Sequence, residues 1–161
     1  MPFRLDLVRH GEAEPARSGG DADRALTAAG RRDVTRLAKV FVHRGWVFER
    51  VYTSPLLRAL ETASILIAWA SPGAATEVLD SLVPEGEPED VLEALSASGI
   101  ERHAVLVGHQ PLLGRLAGHL TGGASLHLPT GGLVALRCDG LGGRGCAVLE
   151  IELDPARLTE S

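Results

Sequence analysis

The sequence predicts an α/β fold, a three-layer α/β/α sandwich on a mostly parallel mixed sheet that ends in a C-terminal antiparallel hairpin. Short apolar runs alternate with amphipathic segments of helical period, which implies parallel strands joined by right-handed crossovers. Each run stops at polar or glycine residues, and the last two runs are separated only by the Gly140 to Gly145 stretch, the mark of a hairpin. No internal repeat or linker divides the chain, so residues 1–161 are expected to form a single domain.

The elements follow in order. Phe3 to Val8, carrying Leu5, Leu7 and Val8, reads as a buried strand that halts at Arg9-His10-Gly11. Glu12 to Arg24 is polar, with Ser18-Gly19-Gly20 inside it, and is expected to be an exposed, mobile loop beside a site. Thr27 is the expected N-cap of a first helix whose Val34, Leu37, Ala38 and Phe41 recur at helical spacing up to a stop at Gly45. Val51 to Thr53 is a short strand. Ser54 as cap and Pro55 at the first helical position open a second helix with Leu56, Leu60, Ala63 and Ile67 as its expected buried stripe.

That helix ends before Ser71-Pro72-Gly73, and Glu77 to Leu79 is expected as a short edge strand. Val91, Leu92 and Leu95 define a third helix. Ala104 to Val107 is a fully apolar strand, and Pro111 opens a helix bearing Leu112, Leu116 and Leu120. Leu133 to Leu136 and Ala147 to Leu153 are the strands of the closing hairpin, across which Cys138 and Cys146 are expected to face each other, reduced and without chemistry.

Composition narrows the function. The 161 residues are 45% hydrophobic and 23% charged, ordinary for a folded domain, and the net charge of -5 argues against nucleic acid or a membrane surface as partner. Lys39 is the only lysine among the 16 basic residues, so an isolated arginine carries little weight and position must carry the argument. No apolar run approaches about 18 residues, and the opening segment mixes Arg4, Asp6 and Arg9 into its apolar positions, unlike a signal peptide; a cytoplasmic location is expected. The remaining histidines, His43, His103, His119 and His127, show no metal-ligand spacing, and His119 is expected at a helix C-terminus. Trp46, Phe48 and Trp69 are expected in packing.

In an open parallel sheet, residues just beyond the carboxyl ends of the strands collect on one edge, where ligands bind. Arg9 and His10 leave the first strand, Arg58 lies one turn into the helix after the second, and His109 follows the strand ending at Val107. Taken singly each is ordinary; their recurrence at equivalent junctions is not. Two guanidiniums supply planar forks of donors for phosphoryl oxygens, and helix N-termini add backbone amides. An imidazole between them is biased to its neutral form, keeping a lone pair for attack on phosphorus, so His10 is the expected nucleophile. Gly11 is expected to let the backbone turn and the phosphate approach. His109 is expected to donate to a phosphoryl oxygen, and Gln110, beside it, joins the substrate-binding positions.

These residues carry a family resemblance. Leu7-Val8-Arg9-His10-Gly11-Glu12, Tyr52-Thr53-Ser54-Pro55-Leu56-Leu57-Arg58-Ala59-Leu60-Glu61-Thr62-Ala63 and Val107-Gly108-His109-Gln110-Pro111 resemble the histidine phosphatase superfamily, with its phosphoglycerate-mutase-like fold. The short length, Asp23-Arg24-Ala25-Leu26-Thr27-Ala28-Ala29-Gly30 and Leu128-Pro129-Thr130-Gly131-Gly132 are similar to the compact SixA-type phosphohistidine phosphatases. The resemblance implies transient phosphorylation of His10, phosphoryl binding by Arg9 and Arg58, completion of the pocket by His109, and no metal or cofactor.

Mutases of the larger branches carry a helical insertion for which this chain has no room, so an open pocket suited to a phosphorylated protein is expected. Those branches also use an acid to protonate the leaving oxygen. Glu85, in Leu82-Val83-Pro84-Glu85-Gly86, is the first candidate and Glu12 the second. A departing imidazole needs such an acid less, which favours phosphohistidine on a protein partner as the substrate. The alternatives are a phosphatase for a small phosphorylated metabolite and an inactive phosphate-binding module; a metal-binding domain is the weakest reading.

Overall fold

In the computed structural model, residues 2–16 and 19–158 are described. The apolar run at the start of the chain becomes β1 (Phe3–Arg9), and Thr27 caps α1 (Ala28–Arg44) by accepting a hydrogen bond from the Gly30 amide. Gly45 closes α1 at φ 66°, a left-handed conformation that glycine adopts without strain. Then follow β2 (Arg50–Thr53), α2 (Leu57–Ala70), β3 (Ala75–Val78), α3 (Pro88–Ser98), β4 (His103–Gly108), α4 (Leu112–Thr121), β5 (Leu133–Cys138) and β6 (Ala147–Leu153). Single turns of 3-10 helix cover Asp21–Asp23, Asp80–Leu82 and Pro155–Arg157.

The six strands form one sheet in the order β3-β2-β4-β1-β5-β6. β1 to β4 pair in parallel, β5 is antiparallel to β1, and β6 pairs antiparallel with β5, giving the mixed sheet and terminal hairpin that the sequence implied. Alternation along the strands feeds two cores. Leu5, Leu7, Tyr52 and Leu106 pack with Leu95 of α3 and Leu116 of α4, while Val8, Val51, Val105 and Val107 pack with Leu37 of α1 and Leu66 of α2. The second core also holds a buried carboxylate. Asp6 accepts from Arg4 Nε at 2.7 Å and lies 2.8 Å from His103 Nε2, so its burial is compensated.

Several local expectations shift. α2 starts at Leu57, with Leu56 rather than Ser54 as its cap residue; Ser54 Oγ accepts from the Leu56 amide just ahead of the helix and also meets His109 Nε2. Its fully buried residues are Arg58, Ala59, Thr62, Ala63 and Leu66, whereas Leu56, Leu60 and Ile67 are only half-buried. The helix is turned so that two polar side chains, Arg58 and Thr62, face inward where apolar ones were expected. The edge strand begins at Ala75, before the expected Glu77, since its register follows β2 from Arg50 onward. Leu79 then turns into the core. Pro111 precedes α4 as its cap residue, and the buried Leu112, Leu116 and Leu120 keep their expected face.

Cys138 stands opposite Ala147 in the hairpin, so Cys146 falls just outside the ladder; both thiols are free. Burial, with Cys146 beside it, pushes the Cys138 thiol up to about 12. His119 sits in the last turn of α4, where a cation suits the helix dipole. Phe48 is buried and Trp46 half-buried, but Trp69 is half-exposed with Lys39 over its ring. Among the described residues, no helix is long and apolar enough to cross a membrane.

Candidate active site

Three strand ends meet at the carboxyl edge of β1, β2 and β4, and backbone hydrogen bonds fix them to one another. The His10 amide donates to the Gly108 carbonyl at 3.0 Å and the Ser54 amide to Val107 at 3.0 Å. The Gly131 amide donates to the His10 carbonyl at 2.9 Å, with Gly131 at φ 71° so that the chain can double back toward β1. The side chains that leave these junctions therefore converge.

The rings of His10 and His109 lie 4.9 Å apart between centroids, and Arg58 Nε stands 3.4 Å from His10 Nε2. All three are buried, at 7%, 1% and 4% exposure respectively, which is unusual for polar groups unless a structure has a use for them. His10 Nδ1 lies 2.7 Å from the Gly11 carbonyl oxygen. A carbonyl only accepts, so Nδ1 carries the proton and donates, and Nε2 keeps the lone pair that faces Arg58. Burial pushes His10 down to about 4, with the Gly11 carbonyl opposing that fall and Arg58, Arg9 and Arg24 adding to it. The imidazole is neutral at physiological pH.

His109 is neutral as well. Burial, followed by the neighbouring His10 and Arg58, pushes it down to about 3. Its Nε2 lies 2.7 Å from Ser54 Oγ, which itself accepts from the Leu56 amide at 3.2 Å. Among the described residues Nε2 is the one acceptor in reach of the Ser54 hydroxyl proton, and with that proton donated to Nε2 the His109 ring proton sits on Nδ1. Arg9 donates through Nη1 to the Leu128 carbonyl at 3.0 Å, and burial, then Arg58, lowers its pKa from the ordinary guanidinium value. Arg9 Nε and His109 Nδ1 are the buried side-chain nitrogens without a hydrogen-bond partner among the described residues.

The loop after β1 reaches this cluster. Arg58 Nη1 donates to the Asp21 carbonyl at 2.9 Å and Nη2 to the Asp21 carboxylate at 3.2 Å, while Arg24 Nη1 holds the other carboxylate oxygen at 3.0 Å. Arg24 Nε is in turn fixed to the Glu14 carbonyl at 2.7 Å. The loop does border the site, as expected, and its second half is anchored at both ends of this contact; Arg17 and Ser18 lie outside the described residues.

The remaining expected positions are placed differently. A side chain at Gly11 would meet Val34 Cγ2 at 2.8 Å and the Gly30 carbonyl at 3.0 Å, and its amide is held by Thr62 Oγ1 at 3.1 Å. Close packing of α1 by itself requires glycine here. The Gln110 amide donates to the Leu126 carbonyl at 3.1 Å and accepts from Gly114 at 2.9 Å, which ties the start of α4 to the loop beyond it. Glu85 is exposed between the Asp80–Leu82 turn and α3, and among the described residues no hydrogen bond or ion pair joins it to the four converging side chains. Glu12 is exposed too, with Oε1 accepting from the Thr27 hydroxyl at 3.2 Å.

Sequence reasoning assigned no role to Asp21 or Arg24, and it read Ser54 only as a cap. Ser54 was reachable, since it follows a strand at the same edge as His10; an aspartate in a polar loop carries no comparable mark.

Comparison with known proteins agrees with this geometry. Residues 5–82 match the Histidine phosphatase superfamily (branch 1). The chain is 30% identical over 124 residues to the phosphohistidine phosphatase SixA of Escherichia coli, covering 75% of this chain and 76% of that protein. It is 38% identical over 141 residues to an uncharacterised protein of Picosynechococcus, covering 84% of this chain and 85% of the relative. The structure of the protein histidine phosphatase SixA complexed with tungstate superimposes with a TM-score of 0.87 at 25% identity, covering 98% of this chain and 100% of that one. The chain belongs to the histidine phosphatase superfamily, and its likeness to SixA makes it a phosphatase. Within it, the chain is of the compact SixA type.

Proposed function

We propose that this phosphatase removes phosphate from phosphohistidine on a partner protein, through a covalent phosphohistidine formed at His10. The observation that carries the reading is the pair of orphaned buried nitrogens. The His109 ring lies 4.9 Å from that of His10, Arg9 directly precedes His10 in the chain, and buried polar groups are almost always satisfied, so an oxyanion that accepts from both nitrogens completes the site.

In the first step the His10 Nε2 lone pair attacks phosphorus and the bond from phosphorus to the leaving nitrogen breaks, its electron pair departing with the leaving imidazole. Positive charge then builds on the His10 ring, and the Nδ1 proton shared with the Gly11 carbonyl stabilises it. Arg9, Arg58 and His109 donate to the phosphoryl oxygens as the transition state forms; their positions are held in advance by the buried contacts described above. In the second step water attacks the phosphorus, the bond to Nε2 breaks, and inorganic phosphate leaves with the lone pair restored to His10. No cofactor enters either step.

A protein substrate is supported by the likeness to SixA and by the leaving group. An imidazole protonated on its distal nitrogen departs as a neutral molecule, so Glu85 is not required as its acid. Wild-type protein incubated with a radiolabelled phosphohistidine protein is expected to release phosphate and to trap an acid-labile, alkali-stable label. His10→Ala should lose both, with turnover down by at least about 10³-fold. Full turnover in that variant excludes the mechanism, and a small phosphate ester preferred by orders of magnitude in a substrate panel replaces the protein substrate.

A further inference from the structure

Arg58 directs its two terminal nitrogens at a single residue. The Asp21 carboxylate and carbonyl oxygens lie 3.2 and 2.9 Å from them, in the arrangement that two oxygens of a phosphoryl group adopt on a guanidinium. We propose that Asp21 is the resident anion of the phosphate seat on Arg58: a carboxylate that the incoming phosphoryl group must displace, and that thereby sets the protein's affinity for phosphate. The inference deepens the phosphatase reading and rests on it.

The two partners are unequal. The Arg58 side chain is 5% exposed and wedged against His10, whereas the Asp21 side chain is 57% exposed on a loop. Competition for the seat therefore moves Asp21 and leaves Arg58 in place. A cavity of about 360 Å³ lined by Glu14, Gly19, Gly20, Asp23, Arg24 and Leu26 lies within that loop and gives it room to shift. Displacement does not strand the charge, because Arg24 Nη1 already holds Asp21 Oδ1 at 3.0 Å and is itself anchored to Glu14. Hydrogen bonding from Arg24 holds the Asp21 carboxyl below the ordinary carboxylate value, so the competitor stays an anion across the neutral range.

The test is the affinity for inorganic phosphate, measured by titration calorimetry on the wild type, Asp21→Asn and Asp21→Ala. Both variants lie on the exposed loop, outside the two cores. Each is expected to bind phosphate about two- to five-fold more tightly, the size of effect that an exposed ion pair commands, and to lower KM for the phosphoprotein by a similar factor. Unchanged or weaker phosphate affinity overturns the proposal. So does a fall in kcat at constant KM, which assigns Asp21 to proton transfer on the leaving group. The trapped label on His10 reports the phosphatase reading separately. A labelled His10 with no tightening in the variants removes only the role of Asp21; tightening without label preserves that role and removes the covalent mechanism.

Discussion

The lone pair on His10 Nε2 depends on where the ring's proton is held, and two neighbours decide it. The Gly11 carbonyl fixes the proton on Nδ1, and burial among guanidiniums keeps a second proton away until about pH 4. His10 and His109 lie close enough to titrate as a pair, so a rate profile reports the pair rather than either ring. The acid limb of kcat/KM, which reports the free protein, is therefore expected near pH 4, well below the ordinary histidine value of 6.5. The measurement uses a substrate whose own phosphoryl group does not titrate in that window. A limb centred at 6.5 refutes the neutral, buried pair. Reading these residues off the sequence was possible because Arg9, His10, Arg58 and His109 each sit at a strand-to-helix junction, and such junctions leave local marks. Their tautomers were not legible, since Ser54 lies 55 positions from the ring whose proton it directs.

At the scale of elements, the approach of α1 to the turn after β1 holds the nucleophile in place. Gly30 lies in the first turn of α1, where alanine is ordinarily better than glycine by about 1 kcal/mol. A Cβ at Gly30 would stand 2.1 Å from the Glu12 carbonyl oxygen and 3.0 Å from the Glu12 amide nitrogen, so the helix would have to move off the segment that follows His10-Gly11. Gly30→Ala is expected to lower stability by about 1–3 kcal/mol, the usual range for overpacking, despite its better helix propensity. Thermal unfolding checks it, and a raised Tm contradicts the packing described. The same closeness explains the glycine at position 11. Helices and strands were largely legible because periodicity and capping chemistry are local: Thr27 and Gly45 bound α1 where their residue types imply. The face of α2 was not, because Arg58 and Thr62 are buried by partners outside the helix, and an amphipathic pattern assigns polar residues to solvent.

Across the whole molecule, the site is a place where stability is given up for binding. Two neutral histidines, the buried Arg58 and the half-buried Arg9 share one edge of the sheet, and the folded protein resists protonation there. For a histidine whose folded pKa is depressed, the unfolded chain takes up the proton first as pH falls. Stability is thus full above about pH 6.5 and declines toward pH 4, by on the order of 3 kcal/mol for His10. His10→Gln should lose less stability than the wild type over that interval in denaturant titrations at several pH values; parallel curves would refute the assignment. By itself, the sequence determined the α/β class, the order of the strands and helices along the chain, and the four residues at the strand ends, because hydrophobic period and turn chemistry act over a few residues. Only the tertiary structure decided that Asp21 sits on Arg58, that Ser54 meets His109, that α1 packs against Gly11, and that Gln110 ties the start of α4 to the loop beyond it. Each of those contacts joins segments whose meeting is set by how the layers close, and short-range patterns carry no record of it.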